Sequence, residues 1–467
     1  MNKDELLSSL EHTFENKLKP QKYILKLEEE TDFDKFFYDI REMGMLSSST
    51  KIQSVIQALL LPIRYKLNSN FYEKIINNFI AKINDSSFEQ NISLDHFLQA
   101  QIDNFAREFN ENQSKYTLKT FHTLYFVEEI ETSLLNIIQK DDVVSFQEYL
   151  IQQPHLNFSL FEMPNFFHFT NTERYQNSYV MEFAAYFGAS KIFRFLYINK
   201  EAKYGKYINC YAVASCNAEI VHICESLSDN YTGCVLTAIK FHRNEILEWL
   251  ITNKNLNVDI ECLLISIQFH NYEAFIRIFE LIEFQAKYIH QIIEFSICAF
   301  EPKMLKACLI ASNVEKNEQI YRELNIAVKI SSFKCIKVLL EYFTLVDGNS
   351  LSELFMNSIK YSSIEISELL DQKYNINYNY QDQNGRTALH DAVRKNNLEK
   401  VDYLLNKKGI NINTKDNESV IPLLIAAQKG YTEIVERLLQ NSKIRLKAYD
   451  DVLPIYLIML INPFKVF

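Results

Sequence analysis

Asp382-Gln-Asn-Gly-Arg-Thr-Ala-Leu-His-Asp-Ala-Val393 and Asp416-Asn-Glu-Ser-Val-Ile-Pro-Leu-Leu-Ile-Ala-Ala427 are one element written twice, 34 residues apart. Each copy runs on into a second amphipathic stretch ending in paired leucines, Leu398-Glu-Lys-Val-Asp-Tyr-Leu-Leu405 and Thr432-Glu-Ile-Val-Glu-Arg-Leu-Leu439. A turn plus two short helices cannot bury its apolar face alone, so one such unit implies a stack of them. The expected fold is all-α, an α-solenoid of stacked helix-turn-helix repeats.

Composition agrees. The chain has 467 residues, of which 48% are apolar and 23% charged, which is enough apolar surface for a folded core. Only 8 Gly and 8 Pro occur, too few for a β-rich fold broken by many tight turns. The formal charge of −10 points away from nucleic acid as the partner of the whole chain. Residues 378–450 run the other way, with 12 Lys and Arg against 9 Asp and Glu. Eight cysteines fall mostly inside apolar stretches and never as C-x-x-C, as expected of buried, reduced thiols. The first residues are polar and acidic, and the longest apolar run, Val452–Ile461, is well short of the roughly 20 residues that span a bilayer. An intracellular, cytoplasmic location without a transmembrane segment is expected; the oligomeric state is left open.

Three organisational segments are expected. Residues 1–130 carry separate amphipathic helices with no recurring unit, as in Ile52, Val55, Ile56, Leu59 and Leu60 behind Thr50, and in Tyr72, Ile75, Ile76, Phe79, Ile80 and Ile83. Leu94 to Phe109 follows the same rule, and the acidic run at 28–32 reads as a turn between helices. Residues 131–345 carry degenerate repeats, with an apolar insertion near 151–177, and residues 346–467 the regular ones, ending in an incomplete copy from Val452. Second-helix anchors run Ile192, Ile220, Ile246, Ala274, Met304, Cys335, Ile366, Lys400 and Ile434. Their spacing grows from 26–28 residues upstream to 34 at the end, so the turn fingers of the upstream repeats are expected to be trimmed.

The two regular copies resemble ankyrin repeats, whose period is about 33 residues. Ser178-Tyr-Val-Met-Glu-Phe-Ala-Ala-Tyr-Phe-Gly-Ala-Ser-Lys-Ile-Phe-Arg-Phe-Leu196 and Ala218-Glu-Ile-Val-His-Ile223 resemble a divergent ankyrin module of unknown function found in large protozoan families of ankyrin-repeat proteins. There it stands between a helical N-terminal region and regular repeats, the order seen here. Ala388, Leu424 and Ser419 depart from the usual Pro, His and Gly. The resemblance implies that His390 bonds backbone and ties neighbouring turns together.

Chemistry finds little support. His222-Ile-Cys224 has no second ligand pair at zinc spacing, so no metal is expected. No G-x-S-x-G, Gly-rich phosphate loop or H-E-x-x-H occurs, and no catalytic residue or cofactor is assigned. Asp141-Asp142 and Asp450-Asp451 read as helix caps. Binding is the expected function, because the family displays variable residues at finger tips and at the end of each first helix. Those places are Gln383, Asn384, Arg386, Arg394 and Lys395 in one copy, and Asn417, Glu418, Val420, Gln428 and Lys429 in the next. Upstream the helix-end pairs are Tyr186-Phe187, Lys240-Phe241, Gln268-Phe269, Lys329-Ile330 and Lys360-Tyr361.

This pattern predicts a ladder of basic and aromatic residues that takes an acidic polypeptide with apolar anchors. The competing reading has the aromatics pack between repeats, and a third has them stack single-stranded RNA. The expected role is a non-catalytic protein-binding scaffold or adaptor. The alternative is an enzyme or regulatory subunit whose chemistry lies in residues 1–130.

Overall fold

The computed structural model describes residues 33–43, 132–152, 161–162, 177–199, 203–312, 320–344 and 348–444, with scattered positions between 14 and 79. The expected helix from Leu94, the acidic run at 28–32, the Thr50 cap, Asp450-Asp451 and the partial copy from Val452 lie outside the described residues, as does most of the 151–177 insertion. The chain divides into two compact units, residues 1–283 and 284–467.

In the first unit, helix α1 (Phe33–Glu42) precedes five helical hairpins. These are α2 (Thr132–Gln139) with α3 (Val143–Gln152), α4 (Val180–Phe187) with α5 (Ser190–Asn199), α6 (Ile208–Ser215) with α7 (Ala218–Leu227), α8 (Cys234–Lys240) with α9 (Asn244–Thr252), and α10 (Ile260–Gln268) with α11 (Tyr272–Leu281). A two-residue antiparallel pairing, Phe161–Glu162 with Asn177–Ser178, is the only strand pairing among the described residues.

The second unit holds five more hairpins: α12 (Ile289–Cys298) with α13 (Pro302–Ser312), α14 (Tyr321–Lys329) with α15 (Phe333–Tyr342), α16 (Gly348–Tyr361) with α17 (Ile364–Lys373), α18 (Ala388–Arg394) with α19 (Leu398–Leu405), and α20 (Pro422–Lys429) with α21 (Thr432–Leu439). Within each unit the first helix of one hairpin packs on the first helix of the next, so the core is a continuous seam. The fold is the all-α solenoid type the repeats imply.

One backbone device sets the register. Asp141, Gly188, Cys216, His242, His270, Phe300, Ser331, Asn396 and Gly430 all have positive φ, and each closes the first helix of its hairpin. From Gly188 on, each stands four residues before a second-helix anchor, and of those anchors only Ile246 is less than buried. In most of them the N–H of this residue bonds the carbonyl three back, and the next N–H bonds the carbonyl five back, as in His270 to Ile267 and Asn271 to Ser266. These two bonds satisfy carbonyls that a helix end leaves open.

Side chains then tie each hairpin to the one before. Asn271 Nδ2 donates to the Ile239 carbonyl at 2.9 Å, while its Oδ1 accepts from Ala274 N–H to cap α11. Arg243 Nε donates to the Ala214 carbonyl at 2.8 Å. Asp142 caps α3, its Oδ1 accepting from the N–H groups of Val144 and Ser145.

Connections between hairpins shorten upstream as the anchor spacing implies: residues 228–233 and 253–259 suffice there, whereas 374–387 and 406–421 form full fingers. N-terminal residues also enter the first unit's core. Phe14, Gln21 and Ile24 are buried, and the spacing 14, 17, 21, 24 is one face of a helix. Gln21 Nε2 donates to the His270 carbonyl, Lys17 Nζ to the Tyr272 hydroxyl, and the Phe14 ring packs on Tyr272 and Phe275.

Candidate functional site

The two full fingers are built alike. Asp382 Oδ1 accepts from the N–H groups of Asn384 and Arg386, and Asp416 Oδ1 accepts from those of Glu418 and Val420. Gly385 and Ser419 take the same left-handed backbone, φ 72° and 61°, so the missing glycine of the second copy leaves the turn intact. The fingers are stitched together: Asn417 N–H donates to the Asn384 carbonyl at 3.0 Å, and its Nδ2 to the Gln383 carbonyl at 2.9 Å. Gln383, Asn384, Asn417 and Glu418 expose their side chains, whereas Arg386 and Val420 are half-buried.

His390 is fully buried and joins the two turns as the resemblance implies. Thr387 N–H donates to its Nδ1 at 3.1 Å. A backbone N–H can only donate, so Nδ1 accepts and the ring proton sits on Nε2, which donates to the Val420 carbonyl at 3.1 Å. Burial holds the imidazole below its ordinary pKa, opposed by the Val420 bond, which keeps this tautomer neutral.

The helix-end residues part company with the expected ladder. In the first unit Tyr186, Phe241 and Phe269 are 5–7% exposed, Tyr186 packs edge-on against Phe241, and Lys240 lies 5.9 Å over the Phe269 ring. The aromatic half of the ladder is therefore corrected there to packing between repeats. Large rings next to a helix end are covered by the neighbouring hairpin, and as placed they offer no face to a base or a peptide. In the second unit the same register is polar and open: Lys329, Tyr361, Arg394, Lys395, Gln428 and Lys429 are exposed, with Lys360 half-buried over the Tyr361 ring at 5.1 Å.

Among the described residues, none of Lys329, Lys360, Arg394, Lys395 and Lys429 joins an ion pair. Other cations of the same unit do pair, Arg437 of α21 with Asp402 and Lys407, just after α19, with Asp371. His222 is exposed while Cys224 is buried, so that pair does not converge on a common point, and no cluster of metal-ligating side chains occurs among the described residues.

One residue was not expected. Asp391 is 4% exposed, its Oδ2 has no hydrogen-bond partner, and burial pushes its carboxyl above the ordinary range against the pull of Lys360. A signal existed: its counterpart in the other copy is Ile425, so a charge stands where the repeat elsewhere is apolar.

A family model for ankyrin repeats (3 copies) matches residues 303–416 and 355–450, within the second unit. A domain of unknown function (DUF3447) matches residues 200–278, within the first. No curated protein matches the chain. Ankyrin repeats are in general protein-binding modules and typically non-catalytic. No helix among the described residues is long and apolar enough to cross a membrane. Hairpins in register, full fingers and the matched repeats agree: the chain carries ankyrin repeats within 303–450, and a domain of unknown function at 200–278 precedes them.

Proposed function

We propose that the chain is a non-catalytic scaffold or adaptor in the cytoplasm, and that its second unit binds an acidic polypeptide segment along the first-helix ends. The observation that carries this reading is the row Lys329, Lys360, Arg394, Lys395 and Lys429, five cations at two adjacent register positions, six and five residues before the second-helix anchor, with no internal ion pair. Exposed cations contribute little to stability even when paired, so the fold does not need them. A complementary row of carboxylates would gain from all five at once and would be steered to them.

Fingertip residues Gln383, Asn384, Asn417 and Glu418 would flank the segment, and Tyr361 would supply an exposed apolar contact. Residues 1–130 are proposed as a separate helical module, with the degenerate repeats of 131–345 between it and the binding repeats.

The test is titration of a fluorescent polyglutamate peptide into the full chain and into the Arg394→Glu, Lys395→Glu double variant. The wild type should bind, with affinity falling as salt rises, and the variant should lose at least about tenfold, as two reversed charge contacts imply. Equal affinities for the two proteins would overturn the reading.

A further inference from the structure

The first unit shows what a hairpin tip of this fold can hold. Where α10 turns into α11, His270 takes the left-handed backbone, φ 54°, and its carbonyl accepts from Tyr272 N–H at 3.1 Å. A helix face of the same chain docks there. Gln21 Nε2 donates to the His270 carbonyl at 2.9 Å, and the Phe14 ring lies 5.1 Å from that of Tyr272 and edge-on to Phe275 at 6.0 Å. Tyr272 is 3% exposed in this arrangement.

The second unit repeats the tip between α14 and α15. Ser331 has φ 59°, and its carbonyl accepts from Phe333 N–H at 2.9 Å. Ser331 and Phe333 stand four and two residues before the anchor Cys335, as His270 and Tyr272 do before Ala274. Closure of the first helix is also the same, Asn271 N–H bonding the Ser266 carbonyl and Ser332 N–H the Ala327 carbonyl, both at 2.9 Å. Here the tip is open: Ser331 is exposed, and Phe333 is 38% exposed. A carbonyl oxygen carries two lone pairs, so that of Ser331 can take a second donor as that of His270 does.

Charge decides which helix fits. The first tip carries Glu273, and the segment docked on it carries Lys17 and Lys19. At the second tip Lys334 takes the place of Glu273 and Lys337 that of Ile276, and both are exposed. Lys17 Nζ also donates to the Tyr272 hydroxyl at 2.8 Å, a group that Phe333 lacks. The chain's own basic segment is therefore disfavoured at the second tip, and a helix of opposite charge is favoured. We propose that the Ser331–Phe333 tip docks an acidic amphipathic helix of a partner protein, one that carries an aromatic residue and, seven residues on, a glutamine on the same face. This goes beyond the row of cations at the first-helix ends, since it turns on one ring and one turn carbonyl.

The test is fluorescence anisotropy with the full chain and a labelled 18-residue peptide. The peptide copies residues 10–27 with Lys17→Glu, Lys19→Glu and Lys22→Glu, and with Pro20→Ala to keep it helical. It should bind saturably, and the unreversed peptide with Pro20→Ala alone should bind more weakly. The exposed-site variant Phe333→Ala should weaken binding of the reversed peptide at least about tenfold, as loss of one buried ring implies, and Phe14→Ala in that peptide should do the same. Gln21→Ala in the peptide should cost a fewfold. Equal binding to Phe333→Ala and to the wild type would mean that charge alone holds the peptide, which overturns this inference and leaves the reading of the basic row standing. Failure of the reversed peptide to bind the wild type would overturn it as well.

Discussion

At the scale of single residues, the left-handed backbone position shows what a sequence reveals and what it hides. Nine of these residues close first helices, yet they include Asp, Cys, His, Phe, Ser and Asn beside two glycines, so no residue type marks the place. Only the anchor four residues on is readable, because burial restricts it to apolar types and, once, to Lys400. Gly430, one of those two, and Gly385 of the finger separate backbone need from packing need. Gly430 has φ 72° and nothing within 4 Å of an added Cβ, whereas a Cβ at Gly385, also φ 72°, would sit 2.8 Å from the Asn417 backbone nitrogen of the next finger. Gly430→Ala should therefore cost only the backbone strain, about 1–2 kcal/mol. Gly385→Ala should cost that and in addition part the two fingers, which urea unfolding midpoints would show as a clearly larger loss. Equal losses at the two sites would mean that the fingers do not depend on this close approach.

At the scale of elements, helix spacing was legible and helix surroundings were not. Intervals from Ile192 to Ile434 placed the second helix of each hairpin from α5 on, and the trimmed connections followed from the same counting. The sequence leaves open whether helix-end aromatics are exposed or packed between repeats, and in the first unit Phe241 and Phe269 are buried, which local pattern cannot report. The face formed by Phe14, Lys17, Gln21 and Ile24 was missed for the same reason, since its partners stand some 250 residues away. Helix α16 is the exception that tests the account of helix ends. It has no left-handed closing residue, and Lys400 of the next hairpin instead donates its ammonium to the carbonyls of Ile359 and Ser362. Burial lowers the pKa of that ammonium, so the lysine is retained against its desolvation. Lys400→Met keeps the bulk and removes the donor, which should destabilise the protein by about 1–3 kcal/mol, the cost of leaving buried acceptors unpaired. Amide exchange should quicken first in the last turn of α16 and the start of α17. Unchanged exchange there would show that the carbonyls find other donors.

At the scale of the whole molecule, the two units can be followed separately, because the chain's single tryptophan, Trp249, lies in the first. That unit also holds Glu182, 3% exposed on α4, whose carboxylate accepts from Tyr179 N–H at 2.8 Å and from Gly205 N–H at 3.0 Å. Burial outweighs those two bonds and raises its pKa from 4.5 to about 7. A carboxyl whose folded pKa lies above its unfolded one adds stability that is complete below the unfolded value and is lost as pH rises through the folded value. The window is thus about pH 4.5 to 7, and the contribution is about 3 kcal/mol at its acidic limit. Urea unfolding followed by Trp249 fluorescence should accordingly show the first unit losing stability between pH 5.5 and 7.5. Glu182→Gln, which cannot ionise, should flatten that slope, although its amide places a donor opposite one of the two N–H groups and lowers stability overall. His390 in the second unit has the opposite sign, its depressed pKa withdrawing stability as pH falls, so helix content measured by circular dichroism mixes the two trends while the tryptophan does not. A Trp249 slope that persists in Glu182→Gln would assign the pH response of the first unit to some other group.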